Sequence, residues 1–498
     1  MNLHKKLFTG SALQTLNLLF DIGIGFLMMP FLIQNLGEKW YGLWLLIGSL
    51  ISFFGLLTLG LSSAVQRYLS TENSNNKIHE YNQTLNSSLA VFIIAAFVAI
   101  MIAIILSFLP SLFVTDIGLI ESFQYLIIFM GLTMAVSFLA IPFRAVLIAE
   151  YRFQVTSGAE LVTLLLKSGL IFYFVSMNYG VIYLGVATFI GTILGKSILV
   201  IFAIKLTKKI KFSFSFITKN KLITLFKFSS KTMLVWLGDI LRFSIDNIVI
   251  TTFVGLSAVT IYSLPLRLFN YVAQFLVTSL SVLQPFFSEK VGEKNNQAIR
   301  HKFELACGIA FALGALFASG LFVFGYELIS LWVGEYEEVQ TLIYIFPIMI
   351  LLSTSQNPCL LILYSHNKHE YYAYQNIAEG LLNAITSLIA VRYFGIIGVA
   401  LGSLLPMLIT KLFYQPRLTC RLIEFPLLSY YKQMITCYSF VLIATIIATY
   451  IKPEINTWLE LLLYSSLFGL CFIPLYWLIA LNQTTKEFIY IKLKRNKR

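Results

Sequence analysis

Tyr179-Gly180-Val181-Ile182, followed by Gly185-Val186-Ala187, returns late in the chain as Phe394-Gly395-Ile396-Ile397 followed by Gly398-Val399-Ala400. A fainter echo lies upstream at nearly the same separation. Gly37 with Trp44 seven residues on matches Gly255 with Tyr262 seven residues on. Two matched landmarks at nearly one separation describe a duplicated half. In a very apolar chain, duplicated halves are the mark of a membrane transporter.

Composition says where the chain resides. Of 498 residues, 58% are hydrophobic and 12% are charged, whereas a soluble domain carries about 25% charged residues. The mean hydropathy of +0.82 belongs to a polytopic membrane protein. Apolar stretches recur near 11–34, 41–66, 86–110, 119–143, 155–177, 180–204, 229–253, 257–286, 304–328, 339–363, 373–391, 394–414, 433–451 and 457–481. Each approaches the roughly 20 residues that cross a bilayer as a helix. Lipid offers backbone groups no partner, and these spans are too long for barrel strands. The expectation is therefore an all-α polytopic protein of about 14 transmembrane helices.

Basic residues set the orientation. With the N-terminus inside, the alternate loops on the inner side hold most of the lysines and arginines, Arg144 among them, and the outer loops hold only Lys39, Arg392 and Lys452. The positive-inside rule then places both termini in the cytoplasm. Lys5-Lys6 before an apolar run mimics a secretory signal, but the run continues to about residue 34, too long for one. The net charge of +13 is spread over successive inner loops, so it reads as anchorage to anionic lipid, and nucleic acid is not expected as a partner. The cysteines are isolated, and His366 with His369 lacks further ligands at metal-site spacing. No cofactor or metal is expected.

An even number of spans per half makes the repeat parallel, with its axis along the membrane normal. The organisation expected is an N-lobe at 1–204, a basic amphipathic linker at 205–228 and a C-lobe at 229–418. Two further helices follow at 419–482, and a basic tail at 483–498.

Charges inside spans carry the functional signal, because each costs about 2.5–3.5 kcal/mol at the bilayer centre on insertion scales. They are Asp21, Lys167, Lys196, Asp239, Arg242, Asp246, Arg267, Glu379 and Lys411. Lys411 and Lys196 fall near inner ends, where a long side chain snorkels to the headgroups; that reading is preferred for Lys411 and evenly balanced for Lys196. Lys167 shares a face with Glu160 but is too far along to pair with it. Asp239, Arg242 and Asp246 form one stripe in the seventh span, and Arg242 can pair with either neighbour. The stripe is either a self-neutralising brace or a charge that changes partners between states. Arg267 has no acid nearby in sequence and needs an anion from another helix or from a substrate. Asp21 is its mirror image, a lone acid able to meet a lysine or a coupling cation.

Pro30, Leu36-Gly37, Tyr41-Gly42, Trp44, Leu59-Gly60 and Arg67 resemble the opening of polysaccharide-biosynthesis membrane proteins. Asp246, Gly255, Ala258 and Tyr262 resemble the family's turn between helices 7 and 8, and Gly395, Gly398 and Ala400 its turn between helices 11 and 12. These are the O-antigen and capsule-unit flippases of the multidrug/oligosaccharidyl-lipid/polysaccharide exporter superfamily. The resemblance implies a protein of the bacterial cytoplasmic membrane. It implies movement of undecaprenyl-pyrophosphate-linked glycan between leaflets by alternating access around a cationic cavity, with no catalysis. It also implies that helices 13 and 14 form a groove for the lipid tail, and that a polysaccharide polymerase and glycosyltransferases act alongside. Relatives that flip the peptidoglycan precursor carry Arg-Asp in helix 1; Phe20-Asp21 stands here, which argues against that substrate.

Physical chemistry gives the same assignment. A pyrophosphate-sugar headgroup cannot cross hydrocarbon unaided. Arg267, Arg242, Lys167 and Lys196 are the residues expected to replace its hydration. Asp21, Asp239 and Asp246 are those expected to switch charge partners or to couple transport to H+ or Na+. Two rivals share part of this pattern. A multidrug exporter of the same superfamily would favour acidic spans. A membrane glycosyltransferase or polymerase would need a larger outer loop bearing catalytic groups.

Overall fold

The computed structural model describes residues 3–114 and 116–495. The Lys5 and Lys6 side chains and the end of the basic tail 483–498 lie outside the described residues. The described chain is helical throughout, as hydrocarbon demands of a backbone that must satisfy itself. It contains 11 helices long and apolar enough to cross a membrane, or up to 12 if one bent pair counts as a span. The number expected from sequence was higher: 229–253 does not count as a span, 257–286 counts only as a bent pair, and 373–391 with 394–414 count once as His369–Leu422. Three stretches break.

The first break is in the stretch 41–66. Helix α2 (Glu38–Ser52) passes into a 3₁₀ segment, Phe53–Thr58, and then into α3 (Leu61–Ser74) through Leu59 and Gly60, both with positive φ. The second is in 229–253, where α8 (Lys219–Phe243) stops at Ser244 and α9 (Ile245–Phe253) begins. The third follows at once: α10 (Leu256–Ser281) is bent by 42° against α11 (Gln284–Gly292).

The chain divides into two compact units, Met1–Thr260 and Ile261–Arg498. In the first, α5 (Ile117–Ala149) lies at the centre. It packs on α4 (Ile78–Ser107) and α7 (Ile182–Leu206), and α7 in turn packs on α6 (Phe153–Ser176), which meets α1 (Leu3–Leu36). Small residues allow this closeness, as is usual where lipid gives no hydrophobic drive between helices. A Cβ at Gly131 would fall 2.3 Å from the Ala103 Cβ, and one at Gly195 would fall 1.8 Å from the Thr163 hydroxyl.

The second unit is built on α12 (Asn296–Val333) and α13 (Glu337–Ser365), with α16 (Leu427–Ile451) and α17 (Trp458–Ile479) against α12. Thr457 and Glu460 form a capping box that starts α17. The stretch His369–Leu422 is continuous and 54 residues long, about 80 Å if straight, far more than a bilayer. It is instead a hairpin. Gly395 takes φ 54° and ψ −135°, and beyond it the chain folds back on itself. The Thr386 hydroxyl donates to the Gly402 carbonyl at 2.8 Å, and the Ser403 hydroxyl to the Asn383 amide oxygen at 3.2 Å. The outgoing arm is the first part of α14 (His369–Met407). The returning arm ends in a π-helical turn, Leu408–Tyr414, and α15 (Gln415–Leu422).

The echoed glycines have one structural meaning. Gly37, Gly180, Gly255 and Gly395 all have positive φ, the backbone region in which only glycine pays no steric cost. The motif repeats because the turn repeats.

Candidate functional site

In the first unit, five charges gather inside the α1, α5, α6 and α7 bundle. Their levels follow from the contacts between helices. Asn17 of α1 donates to the Ser157 carbonyl of α6 at 2.9 Å, and Phe31 meets Phe172, so α1 and α6 run side by side. On α7, Gly195 faces Thr163 and Gly191 faces Lys167. Arg144 of α5 binds Glu160 of α6 at 2.9 Å. Lys196 lies within electrostatic reach of both Glu160 and Arg144, and Lys167 within reach of Lys196 and Asp21. Asp21 is exposed, while Lys167 and Lys196 are half-buried. The cluster holds three basic side chains and two acids. Lys196 stands ten residues before the end of α7, about 15 Å along a helix.

One sequence expectation changes here. Arg144, assigned to a loop, lies within α5, because that helix continues to Ala149. The Glu160 carboxylate, too far along α6 for Lys167 to reach, is bound by Arg144.

Asp239, Arg242 and Asp246 also belong to the first unit, but not to one helix. The first two are on α8 and the third is in the first turn of α9. Arg242 and Asp246 are buried, Asp239 partly so. The break between them is held by α2, where the Ser52 and Ser244 hydroxyls lie 2.6 Å apart and Asn247 donates to the Ser49 hydroxyl at 2.8 Å. Two interrupted helices thus meet at their interruptions.

In the second unit, Arg267 is exposed on α10, its guanidinium 5.8 Å from the Tyr271 ring. Lys411 is the clear correction. The snorkelling expected of it does not occur. Its side chain is 0% exposed and lies 3.8 Å from the Glu379 carboxylate, itself 1% exposed. Thr410 donates to Glu379 at 2.6 Å, and Lys411 to the Ser353 hydroxyl at 3.3 Å. The π turn carries both Thr410 and Lys411 inward. Such turns recur at functional positions. Nothing in the spacing of residues 379 and 411 announces this pair; only the hairpin brings them level.

Beside this network the described residues of the second unit form apolar grooves. One, about 750 Å³, runs between α13 and α16 with Tyr344, Leu351, Tyr438, Leu442 and Thr445 on its walls. Another, about 300 Å³, lies between α12 and α17 with Leu316, Phe472 and Trp477.

With this geometry in view, known proteins provide comparison. A family model described as "Polysaccharide biosynthesis protein" matches residues 8–291. A membrane protein of Bacillus subtilis strain 168, EpsK, is 19% identical over 494 residues, covering 96% of each chain. The fold is shared with the lipid II flippase MurJ in an inward closed conformation, with a TM-score of 0.71, 15% identity and coverage of 93% of this chain and 98% of that one. It is shared too with an inward-facing MATE family multidrug transporter, with a TM-score of 0.68, 12% identity and coverage of 84% and 96%.

Proposed function

From the membership of this chain in the polysaccharide biosynthesis protein family, we propose that it flips undecaprenyl-pyrophosphate-linked oligosaccharide across the bacterial cytoplasmic membrane. Surface polysaccharide is the end product. Membership and fold together make it a multi-pass membrane protein of the flippase and transporter class. The observation that supports the finer reading is the cationic cluster of Arg144, Lys167 and Lys196 inside the first unit. Positive charge within a membrane segment is costly unless water or an anion comes to it. A pyrophosphate is the anion such a family would present.

In this reading Lys167, Lys196 and Arg144 receive the headgroup in one unit, and Arg267 with Arg242 supplies further positive charge. Arg267 is exposed on a membrane helix, an arrangement stable only where it faces water or an anion. Asp21, Asp239 and Asp246 give the cations alternative partners, and carry the coupling to H+ or Na+. The polyprenyl tail is taken by α16 and α17, the two extra helices expected from sequence, with the apolar groove between α13 and α16 as the space beside them. The termini are cytoplasmic, the lobes are 1–204 and 229–418 joined by 205–228, and no bond is made or broken by the protein. A polymerase and glycosyltransferases supply and consume the cargo.

The test is deletion in the native host, with complementation by wild type and by Arg267→Ala and Lys167→Ala. Surface polymer should be lost on deletion, with lipid-linked oligosaccharide held on the inner leaflet, and neither variant should restore it. Normal polymer with new sensitivity to organic cations would overturn the reading in favour of a multidrug exporter.

A further inference from the structure

We propose that the segment 205–228 is a docking surface for anionic phospholipid headgroups. Three observations in the first unit carry this: how the segment is held, how deep it reaches and which side chains it leaves outside.

It is held by side chains that mimic a strand. Asn82 and Asn86, one turn apart on α4, bind the linker backbone on both of their amide atoms. Asn82 donates to the Lys209 carbonyl at 3.0 Å and accepts from the Lys211 N–H at 2.7 Å; Asn86 donates to the Lys211 carbonyl at 2.8 Å and accepts from the Ser213 N–H at 3.1 Å. Two lysines turn inward to acids. Lys209 meets Glu150 at 2.5 Å and lies 4.5 Å from the Tyr81 ring; Lys221 meets Glu72 at 2.7 Å. A segment fixed at so many points presents its remaining side chains in a set direction.

Its depth follows from its neighbours. It lies where α4 and α6 begin and α5 and α7 end. Phe216 packs on His79 at the start of α4. Phe212 packs on Phe143, six residues before the end of α5, about 9 Å along the helix. This is the depth at which amphipathic elements seat apolar rings beneath headgroups, about 5–10 Å.

What remains outside is basic and aromatic. Lys208, Lys211, Lys219 and Lys227 are exposed, and the segment contains no Asp or Glu. Phe212 is 54% exposed and Phe214 91% exposed. Exposed rings among exposed lysines, with no acid in the segment, complement phosphatidylglycerol, and zwitterionic lipid would not reward the lysines.

The full-length protein is to be placed in nanodiscs of phosphatidylcholine with 0, 15 or 30% phosphatidylglycerol, roughly the span over which a polybasic surface responds. Retained lipid is counted by native mass spectrometry and thermal unfolding is followed. Wild type should retain phosphatidylglycerol selectively and gain thermal stability with its fraction. Lys208, Lys211, Lys219 and Lys227 all changed to Gln should weaken that retention at least about tenfold, since one lysine near an anionic surface is worth roughly fivefold. Phe214→Ser should weaken it with all charges in place. Unchanged unfolding of these variants in pure phosphatidylcholine shows that they fold. Equal retention by wild type and the lysine variant would overturn the proposal. So would displacement of the retained lipid by inorganic pyrophosphate, which would make the patch a receiver of cargo headgroups.

Discussion

Single side chains carry separable consequences. Lys411 and Glu379 are buried together in the second unit. Removing one partner strands the other, which costs about 3–5 kcal/mol for a buried pair, whereas replacing both by groups of similar volume is often neutral. Lys411→Met should therefore lower the unfolding temperature sharply, and Glu379→Gln with Lys411→Met should recover most of it. Thermal unfolding of the three proteins in one lipid decides this. At the other extreme is the exposed pair of Lys39 and Asp116. The Lys39 ammonium, helped by the Gly118 N–H, holds the Asp116 carboxyl below the ordinary aspartate value of 3.8. A lowered folded pKa adds stability that is complete above that value and is lost as the pH falls through the folded one. Wild type should thus be slightly more stable than Asp116→Asn near neutral pH, and the difference should vanish as the pH falls through the folded value of Asp116, read by unfolding across the acid range. The sequence reveals Lys411 as a membrane charge but not its partner, because residues 32 positions apart become neighbours only through a turn whose closure is tertiary. Arg144 was hidden differently: the apolar stretch ends at Phe143 while the helix continues to Ala149.

At the level of elements, the breaks are the informative part. Hydropathy reports length and apolarity, so 41–66 and 229–253 read as ordinary spans. Their interruptions are bonded to each other through Ser52 and Ser244, and hydroxyls at such places carry no signal in sequence. The approach of α2 to the start of α10 is set by Gly42, where a Cβ would fall 2.0 Å from the Leu256 carbonyl oxygen. Backbone cannot yield as a side chain can, so Gly42→Ala should destabilise the first unit by about 1–3 kcal/mol or more, read by thermal unfolding. The groove of α13 and α16 gives a prediction of another kind. Leu442→Trp should fill it, slowing transfer of a cargo with a full polyprenyl tail while sparing a short-chain analogue. Equal slowing of both would remove the groove from the cargo path.

Across the whole molecule, the echo was legible because it is written in glycine. Positions that demand positive φ constrain residue identity more tightly than any apolar position, so Gly37, Gly180, Gly255 and Gly395 stand out where the helices around them do not. Orientation was legible as an expectation from lysine and arginine. Labelling of single cysteines should find position 208 reachable from the cytoplasm and position 393 from outside; the reverse would invert the assignment. The hairpin at Gly395 has a consequence for how the chain is made. Synthesis of the first arm delivers Glu379 before Lys411 exists, so the acid has no base to meet until the chain has turned at Gly395 and returned. A charge offered alone to lipid is costly, so a first arm that waits for its second would shelter both.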